Sequence, residues 1–599
     1  MLRRFKKITL DLRHVIALQL LCAPLFAAAG ETPGDSQQLP TQFRRPVALG
    51  LLNNNTRLAV ANRRSGSLSL LDTQSWTVIN EFPAGKSLSD LAVLPDGQHL
   101  LATDETGHEL IALRYEDNKL REVLRVPINP HPVELALNQD GTRAYVASLW
   151  SRQVTVVDIS ALSEAAPATT ILATVDLPFE PREMLFLDDA GKLIVADAFG
   201  GQLAVLDAER AVIDSVRELP AHNMRGLTLN SQGDEVLISH QRLNSLARTD
   251  FDDLHWGILA GNVVRTVAVK RLISPESDLL AGSSIRRLGD AGNGAADPAE
   301  VVLFEGGRIV VAFAGTGEVA LTNLAGSEML RYQTGRRPTA LLSLPDSGAV
   351  IVANTLSDSI SVFHPKSDPP VHTISLGPTP EPSPQVRGEL LFFDAQLSHD
   401  RWLSCHSCHT DGHTNDLRVD TLGDGSYGAP KRVPTLLGVA QTDLWAWDGS
   451  VKELHDQIDK SIRTTMHGNA PRGEDVNDLA AYLQSLDPPP PLRPQVIDAA
   501  DDASLARGRE LFRDMNCIQC HVPPVTYTTG GAFDVGLEDE VGNRKFNPPS
   551  LRGVGRRHGY FHDKRAKTLD KVFTEHHHQL DHALDERELR DLVRFLHSL

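Results

Sequence analysis

The sequence predicts a multi-domain chain in which an all-β, seven-bladed propeller is followed by a mainly α domain of two similar lobes. Three observations in its 599 residues predict this. A two-strand pattern recurs at near-regular spacing from Leu49 to Asn354. Pro- and Ser-rich sequence then breaks the chain at 364–385. Beyond it the composition turns helical, and the same order of short motifs is read twice. Hydrophobic residues are 41% and charged residues 23%, ordinary for a globular protein. Gly (44) and Pro (36) are plentiful and aromatics only 5%, which suits many tight turns. A formal charge of −18 argues against a nucleic-acid partner, because phosphate binding needs a basic face.

The chain opens with a basic stretch, MLRRFKK, then an apolar run from Val15 to Ala29 that ends in small residues. That order predicts a cleaved signal peptide over 1–29 and export to the periplasm. The run is short for a bilayer span, which needs about 20 apolar residues. No later segment is apolar enough, so the mature protein is expected not to span a membrane. Cys22 would leave with the signal peptide.

The repeat reads as apolar strand, Asp/Asn–Gly turn, apolar strand ending in Ala or Ser. Clear copies are LAVLPDGQHLLATD (91–104), LALNQDGTRAYVAS (135–148) and LSLPDSGAVIVAN (342–354). A third strand follows, as in QVTVVD (153–158) and QLAVLD (202–207). The marker residues fall at 61, 102, 147, 196, 239, 312 and 353. Units of about 40–50 residues with several short strands are propeller blades, and seven units give a closed ring over 40–366. One step of 73 residues carries an insertion around 254–296, expected to cap a face or reach the second domain. This half shows no cluster of His, Asp or Glu at ligand spacing, so it reads as a scaffold or docking surface.

After a linker at 367–385, lobe one spans 386–488. A second proline run (DPPPPLRP, 487–494) lies in the linker 489–500, and lobe two spans 501–599. Lobe one reads RGELLFFD, CHSCH, PTLLGV and LAAYLQSL; lobe two reads RGRELFRD, CIQCH, PSLRGV and LVRFLHSL. C-x-x-C-H attaches a c-type haem: the thiols bind the vinyl groups and the His ligates iron. The two sets are Cys405, Cys408, His409 and Cys517, Cys520, His521. A structural zinc site or a thioredoxin-like pair would explain one motif. Two motifs that use every mature cysteine, in an exported chain, point to two covalently bound haem c groups.

RAYVAS with VTVVD resembles the YVTN-type propeller repeat. Residues 380–599 resemble the bacterial di-haem cytochrome c peroxidases and their MauG-type relatives. The carrying segments are 387–409, 432–457 (RVPTLLGVAQTDLWAWDGSVKELHDQ), 517–521 and 548–563. The resemblance implies a peroxide-reacting first haem and an electron-accepting second haem. It also implies a relay at Trp447, a peroxide-pocket amide at Gln457 and a Ca²⁺ ion between the lobes, whose ligands the sequence does not place. Three positions depart from it. Asp424 stands where many relatives carry a His that caps the first haem. His467 stands at the acid/base Glu, where it would act as acid/base, ligate iron, or do neither. His576, with His577 and His578 as substitutes, stands at the axial Met of the second haem; His ligation would lower its potential.

The reading that follows is a periplasmic di-haem c-type peroxidase. It reduces hydrogen peroxide at the first haem with electrons from a small periplasmic redox protein. MauG-like oxidation of a substrate docked on the propeller is an alternative, as is a non-enzymatic electron carrier or sensor.

Overall fold

The computed structural model describes residues 42–599, apart from 327, 346 and 423–426. The signal-peptide reading, Cys22 and Asp424 lie outside the described residues.

Seven four-stranded antiparallel sheets, each from a continuous stretch of chain, follow one another between Pro46 and Ser375. The second strands, such as His99–Asp104 and Ala349–Asn354, are buried along their whole length. Both faces of a middle strand pack on neighbouring sheets, which is why these strands read as continuous apolar runs. The turn glycines of the repeat have a reason. Gly97 and Gly141 sit at φ +65° and +67°, where a β-carbon is costly. The ring closes without a shared sheet. Asp358 of the last blade accepts the main-chain N–H groups of Arg44 and Arg45 at 2.7 and 3.1 Å. Thr355 Oγ1 donates to Pro46 O at 2.8 Å. Leu58, Val60, Leu71, Ile351 and Ile360 form one core across the seam.

The seventh blade corrects one boundary. Its outer strand, Val371–Ser375, pairs with Ser359–Phe363 inside the stretch assigned to the linker. Outer strands are half exposed, so VHTIS lacks the apolar signature that marks the inner ones.

The second half repeats one device. Helix Pro384–Phe392 packs on Gly473–Gln484, and helix Ala499–Asp514 packs on Glu586–Leu596. Arg387 grips Asp478 with two hydrogen bonds of 2.7 and 2.8 Å, and Arg507 grips Asp591 at 2.5 and 3.0 Å. The adjoining Gly388 and Gly508 lie against the carbonyls of Asp478 and Asp591, where a β-carbon would overlap backbone. Gly508→Ala is expected to destabilise lobe two by roughly 1–3 kcal/mol, as overpacking does. Denaturant unfolding followed at the lobe-two haem would check this.

The blade-five insertion, which begins earlier than expected, at 244–259 between strands Glu235–Leu243 and Ala260–Ala268, reaches the second domain. Ala247, Leu254, Leu259 and Ala260 share a core with Trp402, Leu403, Val433 and Met466 of lobe one. Gly257 lies flat on the Trp402 ring. Among the described residues, no helix is long and apolar enough to cross a membrane.

Candidate haem sites

Cys405–Cys408 forms one helical turn, opened by a reciprocal Ser404–Ser407 capping box. The propeller holds this turn from outside. Ser404 and Ser407 donate to the Asp297 carboxylate at 2.5 and 2.6 Å, and His222 Nε2 donates to Ser407 O at 3.1 Å. Just beyond the motif, Asp411 is inserted among Arg225, Arg182 and Arg337 at 2.8, 3.0 and 3.4 Å. Burial alone would raise the Asp411 carboxyl; those guanidinium groups and His406 hold it well below the usual range. His413 completes the clamp, edge-on to Trp150 and Phe199.

Behind the clamp lies a cavity of about 660 Å³, lined by Cys405, Cys408, His409, Trp447 and Gln457 and by lobe-two residues such as Asn547, Arg552 and Arg557. His409 Nδ1 donates to Pro434 O at 2.9 Å. A carbonyl only accepts, so Nδ1 carries the proton and Nε2 keeps its lone pair for iron. Burial lowers His409 to about 4 and raises the Cys405 and Cys408 thiols to about 12. A structural zinc site would need four Cys/His ligands brought together. The one grouping of three metal-binding side chains among the described residues lies elsewhere.

Gln457 Nε2 donates to Ser461 Oγ at 3.1 Å, while its Oε1 is buried without a partner. Trp447 Nε1 donates to Arg432 O at 2.9 Å, and Arg432 N donates to His562 O at 2.6 Å, so the indole sits on the joint between the lobes. The Trp447 ring stands edge-on to His562 at 6.4 Å, and His562 stacks on Phe546 at 4.4 Å. His562 occupies the place in lobe two that Trp447 holds in lobe one, 115 residues earlier, a match the duplicated motifs made readable.

Of the three readings of His467, the structure favours the one in which it plays no part at the first haem site. It is absent from the cavity wall, and its Nε2 donates to Thr249 O of the propeller insertion at 2.7 Å. The cause is a π-helical turn at Ser461–Thr465, which adds a residue to the turn and changes the face that follows. Thr465 and the buried Met466 line the cavity instead. His467→Asn is expected to leave the rate of reaction with peroxide within about threefold of wild type, as for a lost peripheral contact. A fall of about 100-fold would return it to acid–base work. Sequence reasoning also missed the buried carboxylate in the wall, Asp420. It accepts Leu422 N at 3.0 Å and Gly428 N at 2.7 Å.

At the second motif, His521 Nδ1 donates to Tyr527 O at 2.9 Å. Burial lowers this imidazole to about 4, and the neighbouring His578 adds to the shift. His576 and His578 both stand edge-on to Phe561 at 5.4 Å. His576 Nε2 and His578 Nδ1 are buried without partners, whereas His577 is exposed at φ +43°. The two C-x-x-C-H turns, each with a half-buried histidine whose Nδ1 donates to a carbonyl and leaves Nε2 free, fit two haem groups.

Comparison with known proteins agrees. Residues 386–488 match the family model described as di-haem cytochrome c peroxidase, and 505–599 the one described as cytochrome c. Residues 47–170 match the one described as lactonase, 7-bladed beta-propeller. The chain joins a seven-bladed propeller to a helical half of the di-haem cytochrome c peroxidase type, and it is an oxidoreductase of that class. It is 25% identical over 277 residues to the cytochrome c551 peroxidase of Nitrosomonas europaea, covering 37% of this chain and 81% of that one. To the methylamine utilization protein MauG of Methylorubrum extorquens it is 25% identical over 305 residues, covering 40% and 81%. Among solved structures, hydrazine synthase of Kuenenia stuttgartiensis overlaps 56% of this chain and 99% of its own, at 16% identity and a TM-score of 0.47.

Proposed function

We propose that the protein is an exported di-haem peroxidase that carries two covalently attached haem c groups. It takes hydrogen peroxide at the Cys405–His409 site and electrons at the Cys517–His521 site. The observation that carries this is the buried, unpartnered Gln457 Oε1 in the same cavity as Cys405, Cys408 and His409. An acceptor left bare inside a pocket is costly unless a ligand donor meets it, and a peroxide O–H is such a donor. Bound haem supplies the iron chemistry that cleaves the O–O bond and passes electrons. The chain's residues do the rest. His409 is held by Pro434 O in the tautomer that presents Nε2. Gln457 orients the peroxide. Leu259, Ile462 and Met466 narrow the wall and limit water. Trp447, joined through Arg432 to His562, connects the two sites.

At the second site we assign the distal ligand to His578, with His576 the alternative. The electrostatic influence of His578 on His521 supports this, and bis-His ligation would set a low potential. His578→Ala is expected to turn the second haem from low-spin to high-spin, and His576→Ala to leave it low-spin. The reverse pattern would restore His576 as the ligand.

A second reading, MauG-like oxidation of a protein substrate, is favoured by one feature. The insertion beside the first site exposes Leu246, Phe251, Trp256 and Ile258, with Tyr427 next to them. Steady-state turnover of peroxide with a reduced small cytochrome c separates the readings. Rapid turnover supports the peroxidase. Slow turnover beside an oxidised partner protein favours the second.

A further inference from the structure

The insertion and lobe one meet at a further candidate centre that shares no ligand residue with either haem site. His255 comes from the short helix Phe251–His255 of the propeller insertion. His399 and Asp400 precede the first haem cysteine by six and five residues. His255 Nδ1 lies 2.7 Å and His399 Nε2 2.9 Å from the same oxygen, Asp400 Oδ2. One ligand atom from each of the three side chains lies within 4.8 Å of the other two.

We propose that His255, His399 and Asp400 bind a divalent transition-metal ion, with Zn²⁺ the fitting case, that fastens the propeller insertion to the haem-bearing lobe. Two imidazole nitrogens and one carboxylate oxygen are a zinc donor set. In a tetrahedral site with bonds of about 2.0–2.2 Å the donors stand about 3.3–3.5 Å apart, so small side-chain movements open this group to the required geometry. The side chains are 33%, 21% and 20% exposed, which leaves a fourth position for water.

Two observations separate this from an ordinary His–Asp contact. His399 Nε2 is buried and makes no hydrogen bond, although it faces the carboxylate. The main chain around each donor is also fixed in advance. Asp400 is held at φ +53°, a strained value for a non-glycine residue, and its carbonyl accepts Gly294 N at 2.6 Å. His399 N donates to Met466 O at 2.8 Å, and His255 O accepts Trp402 Nε1 at 3.2 Å. Phe251 covers one side, 4.2 Å from the His399 ring. A rigid shell of this kind positions metal ligands. An ion here would tie two segments 145 residues apart, next to the haem-binding turn.

The test uses the holoprotein, stripped with chelator, dialysed, and titrated with Zn²⁺ by calorimetry. The expected result is one tightly bound zinc per two irons, with a zinc-dependent rise in melting temperature. His255→Asn and His399→Asn should each weaken binding at least about 10-fold. An unchanged Soret spectrum certifies that either variant is folded. Zinc X-ray absorption should show two imidazoles and one carboxylate. No zinc uptake by wild type, unchanged uptake in both variants, or a spectrum of three imidazoles from the His576–His578 run would each overturn the proposal.

Discussion

Replacing Cys405 and Cys408 together by alanine should lower iron from two to one per chain and abolish peroxide turnover. The two thiols line the cavity of about 660 Å³ that also holds His409, Trp447 and Gln457. Without thioether bonds the haem is held by the His409 ligand bond and apolar contacts alone. An unfilled cavity also destabilises the core around it, in this case Leu454, Ile458, Ile462 and Leu479. The propeller clamp on Ser404, Ser407 and Asp411 does not need haem, so the backbone turn should persist while the lobe loosens behind it. Cys517→Ala with Cys520→Ala should also leave one iron per chain. In that variant the first site should still react once with peroxide, and turnover with an external donor should stop. Iron analysis and stopped-flow absorbance would read both outcomes. Continued turnover in the first double variant would move the peroxide site to the second lobe.

Trp447→Ala should slow donor-coupled turnover on the order of 10²-fold, about 2.7 kcal/mol of barrier, with little change in peroxide binding. The indole is fixed from both lobes. It donates to Arg432 O at 2.9 Å, the Arg432 guanidinium lies 5.4 Å from its ring, and Asn547 N of lobe two donates to Trp447 O at 2.8 Å. Loss of the ring removes the aromatic bridge to His562 but leaves Gln457 and His409 in place. A merely structural tryptophan would show a different pattern: lower stability, with peroxide binding and turnover falling together. Trp447→Phe keeps a ring without the N–H and should fall between wild type and alanine. Comparing the first reaction with peroxide against steady-state turnover separates the two cases.

The parts of this molecule built from local repetition could be read from sequence. Each blade is a short hairpin array with its own turn glycine, so copies such as 91–104 and 135–148 announced the ring. The duplicated Arg-Gly of Arg387–Gly388 and Arg507–Gly508 did the same for the lobes, because each copy needs the same Arg–Asp grip and the same close helix contact. The haem motifs were legible because attachment chemistry dictates their spacing. What failed was register and long-range assembly. The resemblance puts His467 at an acid/base position, but past the π-helical turn Ser461–Thr465 the chain turns it toward Thr249. The half-exposed strand Val371–Ser375 looked like linker because its stabilisation comes from pairing with Ser359–Phe363 rather than from its own apolar content. The spacing of 73 residues revealed an insertion but not its grip on Trp402. The His255–His399–Asp400 group was invisible because its members come from different halves of the chain.

The propeller is therefore more than an appended surface. Its residues Asp297, Arg182, Arg225, Arg337 and His222 form the outer shell of the first haem-binding turn. On its other contact, Glu180 meets Arg152 at 2.8 Å and Arg556 of lobe two at 3.0 Å. Burial would raise the Glu180 carboxyl, but Arg152, His558 and Arg556 hold it well below the usual carboxylate range. That contribution is present above the ordinary carboxylate pKa and fades only as pH falls through the depressed value. The joint should therefore hold across neutral pH and open only in strong acid.

The central proposal is a peroxide-reacting first haem, left uncapped where Asp424 replaces the capping His of many relatives, paired with a bis-His second haem. Low-temperature electron paramagnetic resonance of the ferric holoprotein, with and without peroxide, tests it most directly. The account predicts one high-spin signal that changes on adding peroxide and one low-spin bis-imidazole signal. Two low-spin signals, both indifferent to peroxide, would contradict it and leave an electron carrier in its place.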